Sequence, residues 1–226
     1  MTKRLGWLIG GAVALVLVVA VAAGVLVARV LMSDGARPSG GPSGTPVDGR
    51  CGLPGASSTT PITDRVTAGP VSFPVSAAPG WTPQRYVLFA PGAQSVGLRQ
   101  GIPGQKWDAH AEIGLTTFAP RLPVAEAARR MIPCIVDSSR YDSYGPRLEG
   151  LTEPEAITVD GVPAARVTGR ILVRRAGLSV VGDVVTVVVI DSAPQAYFES
   201  DTPIGDEERA AVARQIFEQL KVARDV

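Results

Sequence analysis

Three side chains that could bind a metal ion or transfer protons alternate along one short segment. In "DAHAE", Asp108, His110 and Glu112 occupy every second position. If the segment is a β-strand, they share one face and lie about 7 Å apart in succession. Histidine and carboxylates can ligate zinc, so a hydrolase or another metal-dependent enzyme is one hypothesis. Neighbouring positions on a flat strand converge poorly on one ion, however. The competing interpretation is a solvated face paired across strands with Arg166 or Arg170.

The chain has two cysteines, Cys51 and Cys134. A catalytic thiol needs a neighbouring base, and the chain contains one histidine. In an oxidising compartment, the simplest arrangement is a disulfide between the two cysteines. A chain-entropy model assigns such a bridge about 4.5 kcal/mol. The alternative is a buried free thiol at position 134, with Cys51 paired between molecules.

The sequence offers few other catalytic motifs. "AQSVG", with Ser95 at its centre, resembles a nucleophile elbow, but a helix must follow such an elbow. Here Gly101 and Pro103 interrupt a strand-like stretch. No Walker loop, dinucleotide fingerprint, paired-cysteine zinc motif or calcium loop is present in the sequence. The formal net charge of +1 gives no reason to expect nucleic-acid binding. We therefore expect no catalytic residue, cofactor or metal ion.

The N-terminal part of the chain predicts a membrane anchor. Residues 5–28 carry no charge, and as a helix they would be about 36 Å long, enough to cross a bilayer core. We predict a transmembrane helix over 5–32. A cleaved signal peptide is the alternative, but its apolar region would be shorter and a small-residue cleavage site would follow it. Lys3 and Arg4 place residues 1–4 in the cytoplasm and the remainder outside.

Composition divides the rest of the chain into two parts. Residues 33–69 are rich in Gly, Pro, Ser and Thr and predict a flexible linker. Residues 70–226 alternate between strand and helix patterns and predict an extracytoplasmic domain. The linker would hold this domain away from the membrane surface.

Several patterns in the domain predict strands. Short strands are expected at the start of 71–83, over 95–101 and over 106–118, and a short last strand over 196–200. Asp160-Gly161 is a preferred turn pair, so a hairpin is predicted there, with one face of its second strand buried. The β-branched run from Val184 to Ile190 indicates a central strand covered on both faces.

Two segments predict helices. Over 122–139 apolar residues recur at helical spacing, and Pro133 should kink or end this helix. The final helix carries an apolar stripe of Val212, Ala213, Ile216, Phe217 and Leu220, with Asp206, Glu207 and Glu208 in its first turn and Lys221 and Arg224 in its last. The elements together predict an α+β fold, a central antiparallel sheet with a helix on each face.

Three motifs carry a resemblance to a known fold. They are "FPVSAAPGW" at 73–81, "VDGVPA" at 159–164 and "IFEQLKV" at 216–222, the last two separated by long apolar strands. Over residues 70–222 the chain resembles the PsbP/Mog-type fold, in particular its actinobacterial, membrane-anchored extracytoplasmic members. The resemblance implies an α/β/α sandwich and an adaptor or ligand-binding role. It transfers no functional residue.

These observations favour a single-pass membrane protein, N-terminus inside, whose outer domain binds a protein partner or a cell-envelope ligand without catalysis. A gap between the sheet and a helix is where an apolar ligand would bind. The row Arg166, Arg170 and Arg174 could dock an anionic polymer or a lipid headgroup, or could simply be a solvated sheet face. The alternative remains an envelope hydrolase or metal-dependent enzyme that uses Asp108, His110 and Glu112.

Overall fold

A computed structural model describes residues 61–85 and 92–223. The predicted membrane segment 5–32, most of the predicted linker and Cys51 lie outside the described residues, so the predictions on them stay predictions. Within the described part, neither helix has the length and hydropathy of a membrane span.

A large antiparallel sheet forms the centre of the domain. Its described strands run in the order β3-β4-β5-β10-β9-β8-β6, and β7 pairs with β8 beside β6. The strands are β3 (Thr82–Gln84), β4 (Gly92–Gly101), β5 (Asp108–Thr116), β6 (Arg147–Glu149), β7 (Glu155–Val159), β8 (Val162–Leu172), β9 (Gly182–Ile190) and β10 (Ala196–Pro203). A smaller antiparallel sheet joins β1 (Arg65–Ala68), β2 (Val71–Pro74) and β11 (Lys221–Val222).

One helix covers each face of the large sheet. Helix α1 (Val124–Val136) packs on β8, β9 and β6, whereas α2 (Glu207–Glu218) packs on β10 and β5. The predicted α+β fold, with a helix on each face of an antiparallel sheet, is confirmed. Strand β1 extends the ordered domain into the segment predicted as linker.

The sheet separates two hydrophobic cores, because the side chains of a strand alternate between its faces. On the α1 side, Met131 and Ile135 of the helix pack with Val187 of β9. On the α2 side, Phe198 of β10 and Ile216 of the helix pack against β1 and β2. Strands β8, β9 and β10 therefore contribute apolar side chains to both cores.

The hairpin predicted at Asp160-Gly161 is confirmed. Both residues have positive φ, 49° and 79°, as the preferred two-residue hairpin turn requires. The Asp160 carboxylate also accepts hydrogen bonds from Lys221 Nζ at 3.1 Å and from the Val222 backbone N–H at 3.0 Å. The turn is thereby joined to β11.

Four local expectations were wrong. Pro133, expected to kink or end helix α1, does not end it: the helix continues to Val136, because a proline in the last turn loses one backbone bond while buried Cys134 and Ile135 keep that turn packed. Helix α2 ends at Glu218, so Lys221 belongs to β11 instead of a last helical turn. Strand β10 is a buried central strand of eight residues, since its neighbours β5 and β9 both pair with it. On β9, Val184 and Thr186 are only half-buried, because α2 does not reach them.

Candidate functional site

The three candidate metal ligands share one face of β5, as predicted, but that face is not solvated. Relative exposures are 3% for His110 and 1% for Glu112, and the Asp108 side chain is 20% exposed. The segment after α1 covers this end of the strand and brings Arg140 and Tyr141 onto it. The prediction of a wet face paired with Arg166 or Arg170 is therefore wrong.

Arg140 is the centre of a buried ionic cluster. Its Nη1 lies 2.8 Å from Asp108 Oδ1 and 2.9 Å from His110 Nε2, and its Nη2 donates to the Asp108 carbonyl oxygen at 2.8 Å. Its Nε lies 2.8 Å from Asp201 Oδ2. One guanidinium thus holds β5 and β10 together through their polar side chains. Arg140 also lies over the Trp107 ring, 5.3 Å from the ring centroid.

Asp183, at the start of β9, accepts two hydrogen bonds. Trp107 Nε1–H donates to Oδ1 at 2.9 Å and the Tyr141 hydroxyl donates to Oδ2 at 2.6 Å. Burial, followed by the nearby charge of Asp201, raises the pKa of Asp183 to about 7, although Arg140 and the two donors act against this rise. Asp183 therefore changes charge near neutral pH.

For Asp108 and Arg140, burial and the neighbouring charges act on the pKa in opposite directions. Burial acts to raise the pKa of Asp108, but the hydrogen bonds and charges of His110 and Arg140 outweigh it and lower that pKa well below its usual value. Burial acts to lower the pKa of Arg140, but the charges of Asp201, Tyr141 and Asp183 and the hydrogen bond with Asp108 together outweigh it and raise that pKa. Asp108 and Arg140 are therefore a fixed ion pair.

A second polar chain lies next to this cluster. The Tyr197 hydroxyl donates to Glu112 Oε1 at 2.8 Å and is 2.7 Å from the Ser95 hydroxyl, which must then be the donor to Tyr197. Burial, with the charge of Glu112, raises the pKa of Tyr197. Ser95, the candidate nucleophile, lies inside strand β4 and is 2% exposed.

Two glycines leave room for this chain. A Cβ atom at Gly114, the register partner of Tyr197, would lie 2.6 Å from Tyr197 Cε1. A Cβ atom at Gly97, the register partner of Glu112, would lie 2.8 Å from Glu112 Cβ. Because both positions lack a side chain, the side chains of Tyr197 and Glu112 can lie over the neighbouring strand on the same face of the sheet.

The contacts of the cluster hold the segment after α1 to strands β5 and β10. Among residues 61–85 and 92–223, no group of three or more His, Cys, Asp and Glu side chains is arranged to hold a metal ion. His110 and Glu112 are buried; His110 Nε2 contacts Arg140 and Asp108, and Glu112 Oε1 accepts a hydrogen bond from Tyr197. Sequence reasoning missed Arg140, Tyr141, Asp183 and Asp201, which complete the cluster.

An open groove lies on the other face of the sheet, beside α2. It has a cavity volume of about 470 Å³, within the usual range for ligand sites. Its floor is the part of β8, β9 and β10 that α2 leaves uncovered, and residues of α2 form one wall. The gap between sheet and helix that would suit a ligand is therefore present.

The floor combines a hydroxyl row with an apolar row. Thr168, Thr186 and Ser200 are register partners on three successive strands, and the two threonine hydroxyls lie 3.3 Å apart. The next register row contains Val188 and Phe198, which continue to Phe217 on α2. The ring centroids of the two phenylalanines are 5.5 Å apart.

Charged side chains at the rim pair with one another. Arg166 Nη2 lies 2.6 Å from Glu155 Oε2, and Arg209 Nη1 lies 2.6 Å from Asp206 Oδ2. Of the three arginines predicted to form a docking row, only Arg166 lines the groove, while Arg170 and Arg174 are exposed. Glu207 and Arg214 also line the groove, so its wall on α2 carries charged side chains beside the hydroxyl and apolar floor.

Cys134 lies on α1 and is 5% exposed. Its predicted partner, Cys51, lies outside the described residues. The disulfide thus stays a prediction.

Fold and site define an antiparallel α+β sandwich with an ion-pair cluster under one helix and an open groove beside the other. No family model and no curated protein matches the chain. Among solved structures, it is similar to LpqN of Mycobacterium tuberculosis, described as involved in cell envelope biogenesis, at 14% identity, covering 68% of this chain and 83% of that one, with a TM-score of 0.41. It is also similar to PsbP (CyanoP) of Synechocystis sp. PCC 6803, at 17% identity, covering 74% of this chain and 98% of that one, with a TM-score of 0.45. The predicted resemblance to PsbP is found in three dimensions, and at these identities it concerns the fold alone.

Proposed function

We propose that this chain is a single-pass membrane protein whose extracytoplasmic domain binds a cell-envelope ligand in the groove beside α2, without catalysis. The observation that carries the proposal is the groove itself, about 470 Å³ in volume and open on a sheet face that the helix leaves half-covered. The anchor over 5–32 and the Cys51–Cys134 disulfide are parts of the same proposal.

The lining indicates the chemistry of the ligand. Adjacent strands are about 4.8 Å apart, so the hydroxyls of Thr168, Thr186 and Ser200 form a row of about 10 Å. Phe198 and Phe217 offer an apolar surface along it. Because the floor offers both hydroxyls and apolar surface, a ligand with several hydroxyl groups and an apolar part fits it best. An extended segment of a partner protein is the competing occupant.

The arrangement of the polar side chains supports a non-catalytic role. A general base or a metal ligand has to reach its substrate, whereas His110 and Glu112 are buried and engaged with Arg140 and Tyr197. These contacts argue against the alternative of an envelope hydrolase that uses Asp108, His110 and Glu112.

Filling the groove tests the proposal directly. Ala210 lines the groove from α2, while its neighbour Ala211 is exposed and lies outside the lining. The full-length protein would be extracted from its native membrane as wild type, Ala210→Trp and Ala211→Trp. Small molecules released from each would be compared by mass spectrometry.

We expect one hydroxylated molecule to accompany the wild type and Ala211→Trp and to be lost from Ala210→Trp. If all three variants release the same molecules in the same amounts, the groove is not the binding site. If the molecule released from the wild type and from Ala211→Trp, but not from Ala210→Trp, is a peptide, the occupant is a segment of a partner protein in place of a small ligand.

The orientation in the membrane has its own test. A reporter enzyme that is active only outside the cytoplasm, fused after Val226, should be active, and a reporter that works only in the cytoplasm should be silent. The reverse pattern would show that the domain faces the cytoplasm, and would leave the groove experiment unaffected.

A further inference from the structure

Glu112 and Glu199 face each other in the middle of the large sheet. They are register partners on the antiparallel strands β5 and β10, so their side chains share a face with Cβ atoms about 4.5–5.5 Å apart. Relative exposures are 1% for Glu112 and 0% for Glu199. Two carboxyl groups therefore lie on neighbouring strands and are buried from bulk solvent.

Most of their oxygen atoms have no hydrogen-bond partner. Glu112 Oε1 accepts a hydrogen bond from Tyr197, but Glu112 Oε2 and both carboxyl oxygens of Glu199 have none among the described residues. Buried polar groups in native proteins are almost always hydrogen-bonded, so three such atoms in one place need an explanation.

Arg140 is a cation whose charge acts on both glutamates. On β5 the nearest charged groups are Asp108 and His110, on β10 Asp201, on β9 Asp183 and on β4 Arg99, with Arg140 and Tyr141 following α1. Arg140 is engaged with Asp108 and Asp201, and Arg99 lies 3.1 Å from Asp108 Oδ2. The nearest side chains of β9 and α1 on this face are otherwise apolar.

Two ionised carboxylates so close together in a dry interior repel each other and lose their hydration. A proton on one of them removes the repulsion and supplies a donor for the oxygens that lack one. We propose that Glu112 and Glu199 hold a shared proton in the folded domain, and that this proton is a pH-sensitive lock between β5 and β10. The proposal does not depend on the ligand-binding role above.

Electrostatics point the same way as the geometry. Burial is the largest effect and raises the pKa of both glutamates, and the charge of Asp201 adds to the rise for both. The hydrogen bond from Tyr197 to Glu112 and the charge of Arg140 act against the rise without cancelling it. A group whose pKa is higher in the folded state stabilises the fold fully below its unfolded pKa, about 4.3 for Glu. This stabilisation is lost as pH rises through the folded pKa.

The lock therefore fails on the alkaline side. Between the unfolded and the folded pKa, the folded state binds one proton more than the unfolded state. The unfolding equilibrium constant therefore rises about tenfold for each unit by which the pH increases. Asp183 adds a change of the same sign near pH 7, so the lock must be measured as a difference between variants. Because Phe198 and Ser200 of β10 are groove residues, the lock also lies directly behind the groove floor.

The test replaces a carboxyl by an amide of the same shape. The full-length protein in mild detergent would be unfolded with urea between about pH 5 and pH 9, as wild type, Glu199→Gln and Glu218→Gln. Glu218 is exposed at the end of α2 and is the matched control. We expect the unfolding constant of the wild type and of Glu218→Gln to rise steeply with pH, and that of Glu199→Gln to rise up to tenfold less per pH unit.

Equal pH slopes in folded Glu199→Gln and wild type would overturn the proposal. If Glu199→Gln does not fold, the wild type still decides the question through its infrared spectrum. A protonated buried carboxyl gives a carbonyl band distinct from that of a carboxylate, and we expect this band at about pH 8, where ordinary glutamates are ionised. Its absence would show that both carboxyl groups are charged and that no proton is shared.

Discussion

Arg140 holds Asp201 with two nitrogen atoms: Nε lies 2.8 Å from Oδ2 and Nη2 lies 3.2 Å from Oδ1. Asp201 is fully buried, and its Oδ1 also accepts the backbone N–H of His110 at 3.1 Å. A fork of this kind satisfies both partners in the interior and fixes their orientation. The segment after α1 is thereby attached to the two central strands β5 and β10.

Removing the cation should be strongly destabilising. In Arg140→Met the carboxylates of Asp183 and Asp201 lose their nearest positive charge, and breaking a buried pair from one side costs about 3–5 kcal/mol. Urea unfolding followed by tryptophan fluorescence would measure this loss, since Trp107 lies against Arg140.

Arg130→Met is the matched control. Arg130 is on the exposed side of α1 and pairs with Glu126 one turn away. An exposed pair of this kind contributes about 0.3–0.5 kcal/mol. Equal losses in the Arg130 and Arg140 variants would mean that the buried cluster has no special part in stability.

The sequence predicted local features and missed those that depend on distant contacts. The hairpin at Asp160-Gly161 follows from two adjacent residues, so no other part of the chain is needed to predict it. The alternation along β5 correctly placed Asp108, His110 and Glu112 on one face. Whether that face is exposed to solvent depends on Arg140, which lies about thirty residues further along the chain. No local sequence pattern predicts such a contact.

A signal for the cluster was nevertheless present in the sequence. Glu199 and Asp201 follow the apolar residues Ala196–Phe198 in one strand, and Asp183 lies at the start of another. Acidic residues inside central strands are rarely buried without a partner, so they predict a buried cation nearby. The groove had no comparable signal, because it depends on where α2 lies on the sheet.

Tyr197→Phe should break the polar chain without changing the packing of the ring. The hydroxyl that bridges Ser95 and Glu112 is lost, which leaves two buried polar groups without it. We expect a loss of about 1–3 kcal/mol in the free energy of unfolding. Tyr144→Phe, at a half-buried ring packed on Trp107, should change it by less than about 0.5 kcal/mol. A Tyr197→Phe variant as stable as Tyr144→Phe would show that the hydrogen bonds of Tyr197 to Ser95 and Glu112 do not stabilise the domain.

Alanine at Gly114 should be far more damaging than alanine at Gly101. The added Cβ at position 114 would lie 2.6 Å from Tyr197 Cε1, whereas at position 101 nothing lies within 4 Å. We expect Gly114→Ala to cost about 1–3 kcal/mol through displacement of Tyr197, and Gly101→Ala to stay within about 0.5 kcal/mol. Thermal melts of the two variants would compare them, and similar melting temperatures would show that the sheet accommodates the extra atom.

The Cys51–Cys134 disulfide is testable by thiol counting and by mutation. Protein purified from its native membrane, denatured without reductant, should label no thiols, and after reduction two. Cys51→Ser and Cys134→Ser should each lower the stability by up to about 4.5 kcal/mol, and the double variant should lose little more, because both remove the same bond. Cys134→Ser also places a hydroxyl at a buried position, whereas Cys51→Ser leaves position 134 unchanged. The Cys51→Ser variant therefore measures the loss of the disulfide alone. Two thiols labelled before reduction would show that Cys134 is held in α1 by packing alone.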